Sequence, residues 1–188
     1  MRSEGGGGLP HTPVAGGFAR PCYPLPMSGR TVTLAGFMGS GKSTVGRILA
    51  SRLRWPFKDT DDLIVDREGM PIARIFETKG EGYFRELERR VVLSTPEEGE
   101  RILAVGGGGF NETTITYLKR ISLTIHLDLT FREVLRRVGE DPRRPLLRHP
   151  NLLGLFLKRK RLYSRAHVRI WVEGLTVDET VDSILRLI

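Results

Sequence analysis

The stretch Leu34-Ala35-Gly36-Phe37-Met38-Gly39-Ser40-Gly41-Lys42-Ser43-Thr44 constrains this chain more than any other. It lies between a short β-branched run, TVTLA, and a segment with helical spacing, KSTVGRILASRL. Residues 36–43 read G-x-x-x-x-G-K-S. Glycines let backbone N–H groups turn inward on an anion with no Cβ in the way. The helix that follows adds the positive end of its dipole. In this pattern the lysine reaches the outer phosphates of a nucleoside triphosphate and the serine hydroxyl takes Mg²⁺. The pattern is silent on what receives a phosphoryl group.

The rest of the sequence alternates strand and helix signals. Strands are expected at TVTLAG (31–36), FKDTD (57–61), RILAVGG (101–107), SLTIHLD (122–128) and HVRIWVE (167–173). Helical patterns fill the gaps, among them PIARIFETKG and EGYFRELERRVVLS, the first opening on Pro71 in its first turn. Thr130/Glu133 and Thr176/Glu179 match the spacing of a capping box. Five strands interleaved with helices imply an α/β fold, three layers deep, around a parallel five-stranded sheet.

Residues 1–29 hold seven glycines and five prolines and show no hydrophobic period. Such a segment cannot bury enough to offset its chain entropy, so it is expected to be disordered, with the folded domain at 30–188. It has no apolar core of secretory type. No apolar run approaches the roughly 18 residues of a membrane span, and no membrane association is expected. One cysteine, Cys22, excludes an intrachain disulfide and suits a cytoplasmic protein. The net charge of +8 raises nucleic acid as a partner. The excess is local, however: residues 132–169 carry twelve Lys/Arg against three Asp/Glu, a cluster that suits a small polyanion equally well.

Three features speak to an acceptor. Asp59-Thr60-Asp61-Asp62 closes the second strand, and residues two apart share a strand face, so Asp59 and Asp61 can serve a metal and a hydroxyl. Acids at a helix N-terminus explain the same cluster. Gly106 to Gly109 end the third strand, where something should need close backbone approach. Among the arginines, Arg85 has Glu88 at i+3, where a carboxylate can hold the guanidinium in place. Arg143 and Arg144 lie in DPRRPLL, and Arg159 in LKRKRLY.

The ordered set GFMGSGKST, DTDD, IARIFETKGEGYFRELE, GGGG, RRPLL and KRKRLYSRAH resembles the shikimate kinases, over roughly residues 30–188. The resemblance implies a nucleoside-monophosphate-kinase-like domain of P-loop type, with a lid and a substrate-binding subdomain. It implies MgATP-dependent phosphorylation of the 3-hydroxyl of shikimate. By position, Gly36, Gly39, Ser40, Gly41, Lys42, Ser43 and Thr44 would hold ATP, with Arg137 flanking adenine and Arg144 near the transferring phosphate. Ser43 and Asp59 would serve Mg²⁺. Asp61, Arg85, Gly106, Gly107, Gly108 and Arg159 would hold shikimate, and Lys42, Asp61 and Arg144 would be catalytic. The expected partners are ATP and shikimate, without nucleic acid, and the expected state is a monomer. A gluconate kinase or a non-catalytic ATP- or nucleic-acid-binding module are the competing readings; an intact Lys42, Ser43 and Asp61 argue against lost catalysis.

Met27 precedes the first strand and every motif above. Deletion of residues 1–26 is therefore expected to leave the melting temperature unchanged. Scanning calorimetry checks this: an extension that docks on the domain and contributes even 1 kcal/mol would lower it by roughly 2–8 °C on removal.

Overall fold

The computed structural model of the chain describes residues 30–139 and 150–188. Residues 1–29, and with them the expectation of disorder there, lie outside the described residues.

Five strands form one parallel sheet in the order β2-β3-β1-β4-β5, with β1 at Thr31–Ala35, β2 at Phe57–Asp59, β3 at Arg101–Ala104, β4 at Leu123–Asp128 and β5 at Val168–Trp171. β1 and β4 are buried along their whole length. That is the expected state of central strands covered on both faces. Their threonines are accommodated by local pairing: Thr33 Oγ1 lies 2.7 Å from Ser122 Oγ. Among the described residues, seven helices accompany the strands: α1 (Lys42–Leu53), α2 (Thr60–Glu68), α3 (Ile72–Leu93), α4 (Glu112–Ile121), α5 (Phe131–Val138), α6 (Leu152–Tyr163) and α7 (Val177–Leu185). α1 packs on α7, and α3 on α4.

Two separate apolar cores divide the labour. The larger surrounds the sheet, with Leu34, Leu49, Ile102, Ile115, Ile125 and Ile184 fully buried. The smaller holds α2 against α3 through Ile64, Ile75, Phe84, Leu87 and Val91. This α2–α3 unit has the substance of a subdomain and lies between β2 and β3 in the chain. α3 is broken at Gly80 (φ 80°, ψ 169°), so the two helices expected here meet at a kink, with Phe76 and Phe84 in contact across it (4.7 Å between ring centroids). Pro71 is the residue that caps α3 rather than its first helical residue.

Two local expectations need correction. FKDTD is not a strand throughout: β2 ends at Asp59, whose side chain accepts a hydrogen bond from the Asp61 N–H and so opens α2 at Thr60. The Thr130/Glu133 box is half formed. Thr130 Oγ1 accepts from the Glu133 N–H, but the Thr130 N–H donates to Glu173, because Glu133 is occupied by Arg136 and Arg137. Thr176/Glu179 forms both halves. So do Asn111 and Thr114 at the start of α4, where the sequence reading had seen no box.

Asn111 also donates from Nδ2 to the Gly108 carbonyl at 2.9 Å, tying the helix cap to the glycine segment before it. Asn111→Ala should cost roughly 1–2 kcal/mol, the scale of a lost cap. Asn111→Asp, which keeps the cap acceptor, should cost less. Urea midpoints at constant m-value check the order.

Candidate active site

The C-terminal ends of β1, β2 and β3 open into one crevice, the usual ligand position of an open α/β sheet. At its centre the chain leaves β1 at Gly36, where a Cβ would lie 2.7 Å from the Leu127 carbonyl and from Ser40 Oγ. Gly41 caps α1 at φ 89°, a left-handed conformation that favours glycine. Lys42 folds back over the loop, with Nζ donating to the carbonyls of Gly36 (2.9 Å) and Phe37 (3.2 Å). Ser40 Oγ is buried without a hydrogen-bond partner, a polar atom set aside inside the phosphate loop. Thr44 is exposed on the first turn of α1. Arg137 stands beside the loop: its Nε donates to Glu133 and its Nη2 to the Val172 carbonyl, and a Cβ on Gly39 would lie 3.6 Å from Arg137 Cβ.

Ser43 Oγ donates to Asp59 Oδ2 at 2.6 Å. A hydroxyl and a carboxylate in contact beside a phosphate loop fit Mg²⁺, which takes few protein oxygens and completes its shell with water and phosphate.

Asp59 and Asp61 do converge on the crevice, but not as alternate residues of one strand. Asp59 ends β2 and caps α2, while Asp61 lies in the first turn of the helix. The strand-face premise is thus overturned, and the helix-terminus placement holds, with Asp61 and Asp62 in the first turn of α2. Asp61 Oδ1 is buried and has no hydrogen-bond partner. It sits directly against Gly106, where a Cβ would collide with it. Burial, reinforced by the neighbouring Asp59 and Glu88 and opposed by Lys42, pushes the Asp61 carboxyl up to about 6 from 3.8.

Besides the Asn111 cap, the glycine segment is held by side chains from α2, α3 and α6. The Gly106 N–H donates to Thr60 Oγ1 (2.7 Å) on α2, and the Gly108 N–H to Glu88 Oε1 (3.0 Å) on α3. Tyr163 on α6 donates its hydroxyl to the Gly107 carbonyl (2.8 Å). Side chains crowd the backbone on every side: a Cβ at Gly107 would lie 2.5 Å from Arg159 Nη1, and one at Gly108 would run into Glu88 and Arg85. This is the close approach that the run of glycines demands.

Arg85 and Arg159 face this segment from α3 and α6. Arg85 Nη1 donates to Glu88 Oε2 (2.6 Å), and its Nε and Nη2 reach Glu81 Oε1 (3.1 and 2.7 Å). Glu88 is 1 % exposed and Arg159 only 6 %. Arg159 lies over the Phe37 ring of the phosphate loop, 5.8 Å from its centroid. Burial lowers the Arg159 pKa, and the guanidinium of Arg85 adds to the effect against Tyr163 and Glu88. Two guanidinium groups beside one glycine segment, Arg159 buried and Arg85 partly exposed, are what a small carboxylate needs, and arginine's planar fork suits it. The structure therefore brings together Lys42, Ser43, Asp59, Asp61, Arg85, Gly106, Gly107, Gly108 and Arg159. Arg144 lies outside the described residues. Thr60 and Tyr163 were not singled out by the sequence reading. Tyr163 carried one usable signal, its i+4 spacing from Arg159 on a helix.

Comparison with known proteins places the chain. The shikimate kinase family model matches residues 38–188. The shikimate kinase of Sulfurihydrogenibium sp. is 42% identical over 162 residues, covering 85% of this chain and 98% of that protein. The crystal structure of shikimate kinase from Aquifex aeolicus superposes with a TM-score of 0.72 at 39% identity, over 84% of this chain and 95% of that one. Shikimate kinase from Acinetobacter baumannii in complex with shikimate gives 0.76 at 32% identity, over 85% and 92%.

The Asp61 shift has a thermodynamic consequence. Its folded-state pKa lies above the unfolded value, so ionising it opposes folding. The penalty is absent below the unfolded value of 3.8, grows between there and about 6, and is complete above. Two pKa units correspond to roughly 3 kcal/mol. Asp61→Asn without ligands should therefore be more stable than the parent at neutral and alkaline pH, by up to that amount, and the gap should close as pH falls to about 4. Urea unfolding at both ends of the range checks it; a gap independent of pH would contradict it.

Proposed function

The chain belongs to the shikimate kinase family, and from that premise we propose that two unlike half-sites carry out its reaction, the ATP-dependent phosphorylation of the 3-hydroxyl of shikimate. The donor half is the loop from Gly36 to Thr44. Its N–H groups and Lys42 cradle the ATP phosphates, and Arg137 flanks the base. Ser43 and Asp59 hold Mg²⁺, which when bound neutralises phosphate charge. Lys42 must exchange its bonds to the Gly36 and Phe37 carbonyls for bonds to phosphate.

The acceptor half lies across Gly106 to Gly108. Arg85 and Arg159 bind the carboxylate of shikimate. Asp61 accepts a hydrogen bond from the reacting hydroxyl and draws off its proton as the oxygen's bond to the γ-phosphorus forms and the bond from that phosphorus to the bridging oxygen breaks, with ADP as the leaving group. A carboxyl held at about 6 is matched to that task near neutrality. Phosphoryl transfer needs alignment and charge neutralisation more than covalent help, so the fixed distance between the two halves supplies much of the catalysis. Arg144, by its place in RRPLL, is assigned to the transferring phosphate. The described residues contain no helix long and apolar enough to cross a membrane. We infer a monomer at work in the cytoplasm, where ATP and shikimate meet.

The observation that carries this reading is Asp61: a buried carboxylate oxygen without a hydrogen-bond partner, pressed against the Gly106 backbone within reach of the charges of Glu88, Asp59 and the phosphate-loop Lys42. A coupled ADP-release assay tests it. Turnover should require shikimate and should not respond to gluconate. Arg85→Lys, which loses the two-pronged contact, should weaken shikimate binding by roughly 1.5–3 kcal/mol with the KM for ATP unmoved. ADP release that ignores shikimate would sink the reading, and a changed ATP affinity alone would place Arg85 in the wrong half.

A further inference from the structure

The peptide unit joining Gly107 to Gly108 is gripped at both ends. Its carbonyl accepts from the Tyr163 hydroxyl at 2.8 Å, and its N–H donates to Glu88 Oε1 at 3.0 Å. The other oxygen of Glu88 takes Arg85 Nη1 at 2.6 Å. On the far side Tyr163 and Arg159 are one turn apart on α6, and both crowd Gly107: a Cβ there would lie 2.5 Å from Arg159 Nη1 and 3.5 Å from Tyr163 Oη. A single line of contacts thus runs from Arg85 through Glu88, the peptide and Tyr163 to Arg159.

Tyr163 is 1 % exposed, and its ring packs between Phe110 (5.9 Å between centroids) and His126 (5.2 Å). A phenylalanine would satisfy that packing. The hydroxyl is the extra element, and burying it is tolerable only because it is hydrogen-bonded. Burial raises its pKa to about 12, so it stays a neutral donor.

We propose that Tyr163 is a positioning residue for the acceptor: its hydroxyl locks the Gly107–Gly108 peptide and thereby sets the spacing of Arg159 from Arg85, two guanidinium groups carried by helices that are otherwise distant in sequence. Like charges in one pocket repel, and the carboxylate they await is absent between turnovers. Without the hydroxyl, the peptide has one grip instead of two and α6 loses its tie to the glycine segment. Arg159 then samples positions too far from Arg85 to share one carboxylate.

This rests on the reading that Arg85 and Arg159 bind the carboxylate of shikimate, and the test separates the two. Tyr163→Phe, Arg159→Lys and the double variant are compared in steady-state kinetics, each well below its own melting temperature. Tyr163→Phe should raise the KM for shikimate about five- to twentyfold, leaving the KM for ATP and kcat within about twofold. The double variant should be little worse than Arg159→Lys alone, because both changes disable the same group. If Arg159→Lys leaves the shikimate KM unchanged, the pocket assignment fails. If Arg159→Lys raises it and Tyr163→Phe does not, or lowers stability while both KM values hold, the positioning role is overturned. Should Tyr163→Phe not fold, Tyr163→Met removes the hydroxyl with a flexible apolar side chain that can adapt to the space. It should raise the shikimate KM selectively, and an equal rise in both KM values would overturn the proposal.

Discussion

Glu88 places a carboxylate where almost no water reaches, and the acceptor half of the molecule is arranged around that constraint. An ionised carboxylate in such a position is tolerable only with cations and donors at its oxygens. Arg85 supplies the charge at one oxygen and the Gly108 N–H the bond at the other. The glutamate in turn fixes where a mobile side chain and a flexible stretch of backbone must be. It also raises the cost of ionising Asp61 nearby, so the residue that orients Arg85 also helps to tune Asp61. The small core of Ile64, Ile75, Phe84, Leu87 and Val91 keeps the helix bearing Glu88 rigid.

The basic segment has a different logic from its composition. Among the described residues, Arg136 and Arg137 share the one carboxylate of Glu133, Lys160 lies 3.0 Å from Asp128, and Arg165 pairs with Glu112. Of the four consecutive cations from Lys158 to Arg161, the first and last face solvent, Arg159 is buried and Lys160 is partly covered. Four successive helical residues point in different directions, about 100° apart, and cannot form one face. A run of charge in the sequence is thereby divided among solvent, an ion pair and the acceptor pocket.

What could be read beforehand follows from how local each feature is. The phosphate loop was legible because all its parts lie within eight residues and its chemistry needs them in that order. The sheet was legible because its strands are buried runs separated by helical spacing. Arg85 and Glu88 share a helix, so i+3 spacing announced their contact. The bond from Tyr163 to the Gly107 carbonyl spans 56 residues, and no periodicity reports it. The half-formed cap at Thr130 failed for the same reason. Glu173, 43 residues away, took the N–H that local spacing had promised to Glu133.

Asp59, Thr60 and Asp61 show what the end of a strand accomplishes when a helix begins at once. In a continuing strand, Asp59 and Asp61 would point one way and Thr60 the opposite way. Here the backbone turns from strand to helix at Asp59 and fans the three side chains apart. Asp59 reaches Ser43 in the phosphate loop, Thr60 takes the Gly106 N–H, and Asp61 lies against the same glycine facing the acceptor. Three adjacent residues therefore tie the donor loop, the glycine segment and the reacting end of the pocket to one point of backbone. Asp59 spends its second oxygen on the Asp61 N–H, so the carboxylate that holds Ser43 also holds the turn that aims Asp61. A substitution at Asp59 thus acts on both halves at once. Distance between donor and acceptor is set here by covalent chain geometry, the stiffest ruler available to the fold.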